Sequence, residues 1–198
     1  MPYAKSEDTR RRLLEAATAD FAAHGITGAR VDRIAAAADI NKARLYAYFG
    51  DKLGLFDAVF RMHADAVVDQ VPFTADDLAQ YAAGLYSAAL AHPQLIRLTA
   101  WARLEGVKPT ETSTRAKEAK LQAIAQAQRD GHVRASLDPE DILVLLISMA
   151  LAWTEPALSE VTVPGVPVPD APASEVLAAA HERRKQALAD TVRRAFQP

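Results

Sequence analysis

A group of aromatic and basic side chains lies in the stretch ADINKARLYAYFGDK, residues 38–52. Its members are Tyr46, Tyr48, Phe49, Lys42, Arg44 and Lys52. Tyrosine offers an apolar ring and a hydroxyl donor, whereas lysine and arginine offer positive charge and several N–H donors. Such groups bind the phosphates of nucleic acid and read the edges of its bases. The stretch therefore predicts a surface for a polyanion, with a buried aromatic corner as the alternative interpretation.

Residues that could carry catalysis or hold a metal are scattered. The five histidines fall on different expected elements: His24, His63, His92, His132 and His181. No two of them have metal-ligand spacing on one helix, no glycine-rich phosphate loop occurs, and cysteine is absent. We expect neither an enzyme nor a cofactor or metal site.

The charge of the chain differs between its ends. The net charge is −2, but residues 1–52 carry nine Lys or Arg against seven Asp or Glu, a net +2. The remaining residues therefore carry a net −4, which places a polyanion partner at the N-terminal end. No apolar signal core opens the chain and no apolar run has the length of a membrane span, so we expect a cytoplasmic protein without a membrane partner.

The apolar residues recur with helical spacing in the N-terminal part of the chain. The pattern predicts helices over about 8–23, 31–38, 41–48 and 52–70. Gly25 is expected to stop the first of these helices, and Asn41 is a good N-cap for the third. Asp39 and Ile40 form a tight connection between two short helices. This order of elements is typical of a helix-turn-helix domain, whose second short helix enters the major groove of DNA.

The remainder of the chain also has helical spacing. Further helices are predicted over about 74–91, 93–106, 114–130, 138–155 and 174–196, with Thr74 and Asp138 as N-caps. Five of the eleven prolines fall between Pro156 and Pro172, so that span is predicted to be a loop or linker. The expected fold is all-α, with about nine helices.

Residues 9–60 resemble the N-terminal domain of the tetracycline-repressor (TetR) family of bacterial transcription regulators. The motif residues are Ile34-Ala35, Ala38, Asn41, Leu45-Tyr46, Tyr48-Phe49 and Lys52. The resemblance implies a helix-turn-helix DNA-binding domain over 1–52 and a helical ligand-binding and dimerisation domain over 53–198. The chain departs from the family pattern at Asp39, where a turn glycine is usual, at Ala29-Arg30, where Ser or Thr is usual, and at Arg44, where a small or hydroxyl residue is common.

The resemblance also implies roles for single residues. The implied DNA-binding residues are Arg30, Asn41, Lys42, Ala43, Arg44, Tyr46, Tyr48 and Lys52. Lys42, Ala43 and Arg44 would face the bases, and Arg44 could bind guanine through two hydrogen bonds. Tyr48 and Lys52 would bind backbone phosphates, whereas Tyr46 would contact DNA or wedge its helix against its neighbours. The basic run of Arg10, Arg11 and Arg12 is read as a solvated helix start, with a minor attraction for phosphates left open.

The second half is expected to receive the signal. Candidate residues for an effector cavity are His63, Tyr86, Arg97, Trp101, Met149 and Trp153; each of them could instead be ordinary core. The helix over 52–70 is the expected lever, and the last two helices are the expected dimer interface. The implied function is a homodimeric repressor that a small apolar or aromatic effector releases from a palindromic double-stranded DNA operator. The alternatives are a helical interaction module without DNA binding and a helical enzyme.

Overall fold

The computed structural model describes residues 2–108, 111–154 and 173–198, which form nine α-helices. Their bounds are α1 Pro2–Gly28, α2 Val31–Ala37, α3 Lys42–Phe49, α4 Lys52–Gln70, α5 Leu78–Ala91, α6 Pro93–Leu104, α7 Glu111–Arg129, α8 Pro139–Ala150 and α9 Ala173–Phe196. The all-α expectation is confirmed. The proline-rich span 156–172, predicted to be a loop or linker, lies outside the described residues.

The N-terminal helices begin and end close to their expected positions, except for α1. This helix begins at Pro2 and is assigned as far as Gly28, past the expected end near residue 23. At Gly25 the backbone has φ 71° and ψ −177°, so the regular helix is broken at the residue that was expected to stop it. One further turn of helix follows, because residues 26–28 return to helical geometry.

Of the two N-caps predicted in the second half, one is wrong and one is confirmed. Thr74 is not the N-cap of α5: Asp77 accepts the backbone N–H of Gln80 at 2.9 Å, and the helix begins at Leu78. An Asp side chain caps a helix as well as a Thr side chain does, and a helix has only one N-cap residue. By contrast, Asp138 caps α8 as expected, accepting the N–H of Glu140 at 2.7 Å.

The helices form two compact units, described here separately. The first unit comprises residues 1–67 and 92–110, and its core is built from α1, α2, α3, α4 and α6. Phe21 of α1 packs edge-on against Phe56 of α4, with ring centroids 5.3 Å apart. Leu45 of α3 is fully buried in the same core, which fixes the rotation of this short helix.

The second unit comprises residues 68–91 and 111–198. Its largest fully buried side chains are Tyr86, Phe196, Ile124, Ile142, Leu146 and Leu188. Helix α5 packs on α8 and α9, and α8 also packs on α7. The expected domain boundary after residue 52 remains a prediction. The first compact unit extends beyond residue 52 because α4 and α6 both pack in the core that contains α1.

Candidate nucleic-acid interface

The turn between α2 and α3 is held by two polar residues. Asp39 adopts the left-handed conformation with φ 54°, among the described residues the one non-glycine with positive φ. Aspartate tolerates this region better than most residues, so it can stand where the turn would favour glycine. Asn41 then caps α3, because its side-chain oxygen accepts the N–H of Arg44 at 2.8 Å. Together these residues set the angle at which α3 leaves α2.

The first turn of α3 presents its side chains to solvent. Lys42, Ala43, Arg44 and Tyr46 are exposed, whereas Leu45 between them is buried. Nζ of Lys42 lies 2.9 Å from an oxygen of Asp32, in the first turn of α2. The hydrogen bond to Asp32 raises the pKa of Lys42, so this residue is fully charged at neutral pH. The expected base-facing residues therefore lie on one exposed surface.

Tyr48 and Phe49 form the C-terminal end of this surface. Both are half-buried and pack against the core of the first unit. The guanidinium carbon of Arg44 lies 6.0 Å from the centroid of the Tyr48 ring, one helical turn further along α3. Cations over an aromatic face are attracted by the ring quadrupole, so Tyr48 limits the directions in which Arg44 can point. The aromatic residues are thus partly core and partly surface.

Lys52 and Arg30 form hydrogen bonds at the junction between α1 and α2. Nζ of Lys52 donates to the carbonyls of Thr27 and Ala29, at 3.1 and 3.3 Å. The backbone N–H of Arg30 donates to Asp20 at 3.0 Å, and the Arg30 side chain is exposed. Lys52, expected to bind phosphate, therefore also has a structural role that its place in the motif does not reveal.

Asp20 has a structural role at the start of α2 that was not predicted from the sequence. This buried carboxylate accepts hydrogen bonds from the Arg33 side chain and the Arg30 backbone, and so ties the start of α2 to α1. Burial raises the pKa of Asp20, but the hydrogen bonds from Arg33 and Arg30 outweigh burial and hold the pKa below its ordinary value. An acidic residue beside the apolar stripe of α1 was the available signal.

Glu105 and Trp101 form a second contact that the sequence did not reveal. Glu105 follows α6, and its carboxylate accepts the backbone N–H groups of Ile26 and Thr27 at 2.9 and 2.8 Å. Nε1 of Trp101 donates to the carbonyl of Ala22 at 3.2 Å. A β-carbon on Gly25 would lie 2.7 Å from the Trp101 ring and still closer to Glu105, so the close approach of α6 needs glycine there.

The candidate effector residues fall into two groups. His63, Arg97 and Trp101 belong to the first unit, whereas Tyr86, Met149 and Trp153 belong to the second. In the second unit the rings of Tyr86 and Trp153 pack edge-on at 5.9 Å, and the Tyr86 hydroxyl lies 2.7 Å from Nδ1 of His181. Met149 is half-buried against the same core.

His63 is hydrogen-bonded within the first unit. The hydroxyl of Thr18 donates to the carbonyl of Leu14 at 2.7 Å and also lies 3.2 Å from Nε2 of His63. Burial, and then nearby His92, lower the pKa of His63, which favours the neutral ring. These contacts match the alternative interpretation of His63 as a core histidine.

The described part of the chain has no arrangement suited to a metal ion and no helix suited to a membrane. Within it, no group of three or more His, Cys, Asp or Glu residues is arranged to hold a metal ion. Among the same residues, no helix has the length and apolar character needed to cross a bilayer.

Two family models match the sequence. The model described as "Bacterial regulatory proteins, tetR family" matches residues 13–59, which include α2 and α3. The model described as "Tetracyclin repressor-like, C-terminal domain" matches residues 77–194, more than half of the chain. The second match begins just before α5 and ends within α9.

The chain is also similar to individual proteins. It is 38% identical to the HTH-type transcriptional repressor SCO4008 of Streptomyces coelicolor over 148 residues, which are 73% of this chain and 77% of that protein. A crystal structure of the transcriptional regulator SCO4942 from the same species superposes with a TM-score of 0.73 at 33% identity, covering 96% of this chain and 99% of the other. AibR, solved with isovaleryl coenzyme A and operator DNA, shares the fold, with a TM-score of 0.62 at 18% identity and coverages of 92% and 97%.

Proposed function

The chain belongs to the TetR family of helix-turn-helix transcriptional regulators, which are not enzymes, and we propose that it acts as a homodimeric repressor. In this proposal a small apolar or aromatic effector releases it from a palindromic double-stranded DNA operator in the bacterial cytoplasm. The observation that carries the proposal is the exposed first turn of α3, where Lys42, Ala43 and Arg44 follow a capped helix start.

Side-chain chemistry assigns different DNA contacts to different residues of the interface. Arg44 can bind guanine through two parallel hydrogen bonds, so its loss should weaken the operator by about 1–3 kcal/mol and spare random DNA. Lys42 forms an ion pair with Asp32, so the bases must compete with that carboxylate for its ammonium group. Tyr48 and Lys52 are assigned to phosphates, and Arg30 takes the place of the usual hydroxyl residue.

The homodimer is proposed from the surface of α8 and α9. Helix α8 buries Ile142, Leu143 and Leu146, yet on its other side Val144 and Leu145 stay 49% and 48% exposed. A helix that is apolar around its circumference needs cover on both sides. We assign that cover to a second copy, because twofold symmetry in the protein matches a palindromic operator.

The effector is proposed to bind in the second unit near Tyr86, Met149 and Trp153. Aromatic rings beside one hydroxyl suit a mostly apolar ligand with one polar group. AibR, a protein of the same fold, was solved with both isovaleryl coenzyme A and operator DNA. This supports the proposal that one chain of this fold can bind both an effector and an operator.

DNA binding is tested by selecting the operator from a random-sequence pool with the full chain. Fluorescence anisotropy then compares the selected duplex with random duplex at two salt concentrations. We expect a twofold-symmetric operator whose affinity falls with Arg44→Ala and not with Arg129→Ala, a control on the exposed surface of α7. Absence of binding to every duplex at low salt would leave a helical interaction module as the better function.

Dimerisation and effector binding need their own measurements. Sedimentation should give a dimer that Leu145→Asp converts to a monomer, whereas Leu90→Asp on α5 leaves it intact.

A thermal-shift panel of apolar and aromatic compounds should identify effectors that release the operator. Tyr86→Phe should weaken those effectors without changing DNA affinity in their absence; unchanged effector affinity would contradict the assigned site.

A further inference from the structure

The three consecutive arginines of α1 differ in their surroundings. Arg11 binds two carboxylates, Asp8 at 2.6 Å and Glu15 at 2.9 Å. Arg12 lies 3.4 Å from Asp8 and 4.0 Å from Asp39. Two of the three charges are therefore offset by acidic neighbours, which reduces their attraction for a polyanion.

Arg10 has a different neighbour. Its guanidinium carbon lies 5.9 Å from the centroid of the Phe49 ring, at the last residue of α3. Of the ion pairs formed among the described residues, none includes Arg10. Its side chain is exposed, so its positive charge remains available at the surface.

Arg10 is the first of four side chains connected by pairwise contacts. The Phe49 ring lies 6.0 Å from the Tyr48 ring between centroids, and the guanidinium of Arg44 lies 6.0 Å from the Tyr48 ring. Two rings thus connect two guanidinium groups. One of these groups belongs to a proposed base-reading residue, and the other belongs to a different helix.

The chemistry of guanidinium suits this arrangement. Stacking on a ring uses the planar face of the group, whereas its five N–H donors lie at the edges and remain directed away from the ring. Double-stranded DNA carries one negative charge per about 1.7 Å of helix axis, so an exposed cation beside a recognition helix meets a phosphate when that helix enters the groove.

We propose that Arg10 binds a backbone phosphate of the DNA beside the C-terminal end of α3. This inference rests on the DNA binding proposed above. Phe49 holds the guanidinium in place, and the contact extends the interface from the helix-turn-helix onto α1. A phosphate contact carries no base information, so Arg10 contributes equally to operator and random DNA.

The test measures binding as a function of salt with the full chain, for wild type and Arg10→Ala, on operator and on random duplex. Each phosphate contact contributes about 0.9 to the slope of log affinity against log salt. The proposed dimer carries two Arg10 residues, so for each tenfold fall in salt wild type should gain about 60-fold more affinity than Arg10→Ala. The loss should be equal on the two duplexes, and Arg10→Lys should restore the slope because it keeps the charge.

Arg11→Ala is the matched control, because it removes the same formal charge one residue away. Its slope should stay near that of wild type, since Asp8 and Glu15 already offset Arg11. Arg10→Met removes the charge but keeps an apolar side chain against Phe49, so it separates the loss of charge from the loss of packing. A wild-type slope in Arg10→Met, equal slopes in Arg10→Ala and Arg11→Ala, or a loss confined to the operator would each overturn the phosphate assignment. If wild type bound no DNA, the proposed function itself would fail.

Discussion

The side-chain carboxylate of Glu105 accepts both the backbone N–H and the hydroxyl of Thr27, at 2.8 and 2.7 Å, across 78 residues of sequence. The carbonyl of Thr27 accepts Nζ of Lys52 at 3.1 Å. Both polar groups of this residue's backbone are therefore held by side chains distant in sequence, Glu105 just after α6 and Lys52 at the start of α4. Because α2 begins at Val31, these contacts set how the chain enters the helix-turn-helix.

Removing the Glu105 carboxylate should loosen this junction. Glu105→Ala removes a charged acceptor that two backbone N–H groups and a hydroxyl share, so we expect the first unit to lose about 1–3 kcal/mol of stability. Fluorescence in a Trp153→Phe background reports this unit, because Trp101 is then the one remaining tryptophan. Urea unfolding of that variant, with exposed Glu118→Ala as control, gives the comparison. Equal stability of the two variants would contradict a stabilising role.

The same carboxylate predicts a dependence on pH. Burial raises the pKa of Glu105, but hydrogen bonds from the side chain and backbone of Thr27 and the backbone of Ile26, together with nearby Lys52, hold it below its ordinary value of 4.5. The unfolded chain therefore binds this proton more readily, and the stabilisation is present above pH 4.5 and lost as pH falls below it. The stability difference between wild type and Glu105→Gln should shrink over that range. A difference that stays constant with pH would refute it.

Gly25 is expected to tolerate no side chain. Its φ of 71° costs an L-residue about 1–2 kcal/mol, and an added β-carbon would also collide with Trp101 and Glu105. Gly50 has φ 77° and open space around it, so Gly50→Ala measures the cost of a positive φ without a collision, at ψ −65° where Gly25 has ψ −177°. We expect Gly25→Ala to be clearly less stable than Gly50→Ala by urea unfolding. Similar losses would mean that α6 can move away at little cost.

At Asp39, in contrast to Gly25, one substitution is expected to preserve or raise stability. Its left-handed backbone, φ 54°, is favourable for glycine, tolerable for aspartate and unfavourable for alanine. The expected order of thermal stability is Asp39→Gly at or above wild type and Asp39→Ala about 1 kcal/mol below it. An alanine variant as stable as wild type would show that the turn relaxes to another conformation.

Much of the helix-turn-helix could be predicted because its signals are local. Asn41 caps the helix that it precedes, and Asp39 occupies the turn where glycine is usual. Glu105 and Asp20 could not be assigned in this way, because each acts on a backbone segment that only the packing of helices brings near. Lys52 shows the same limit: its place in the motif predicts phosphate binding, whereas its bonds to two carbonyls depend on the fold.

Helix α6 lies within the span of the C-terminal family model, yet it packs in the core that contains α1. The compact unit that contains the helix-turn-helix is therefore built from two separate segments of sequence, 1–67 and 92–110. A chimera that joins residues 1–67 to the second half of another regulator would leave behind Trp101 and Glu105 and acquire foreign residues against Gly25. Exchange of operator specificity between relatives should accordingly require that residues 92–110 travel with the N-terminal segment.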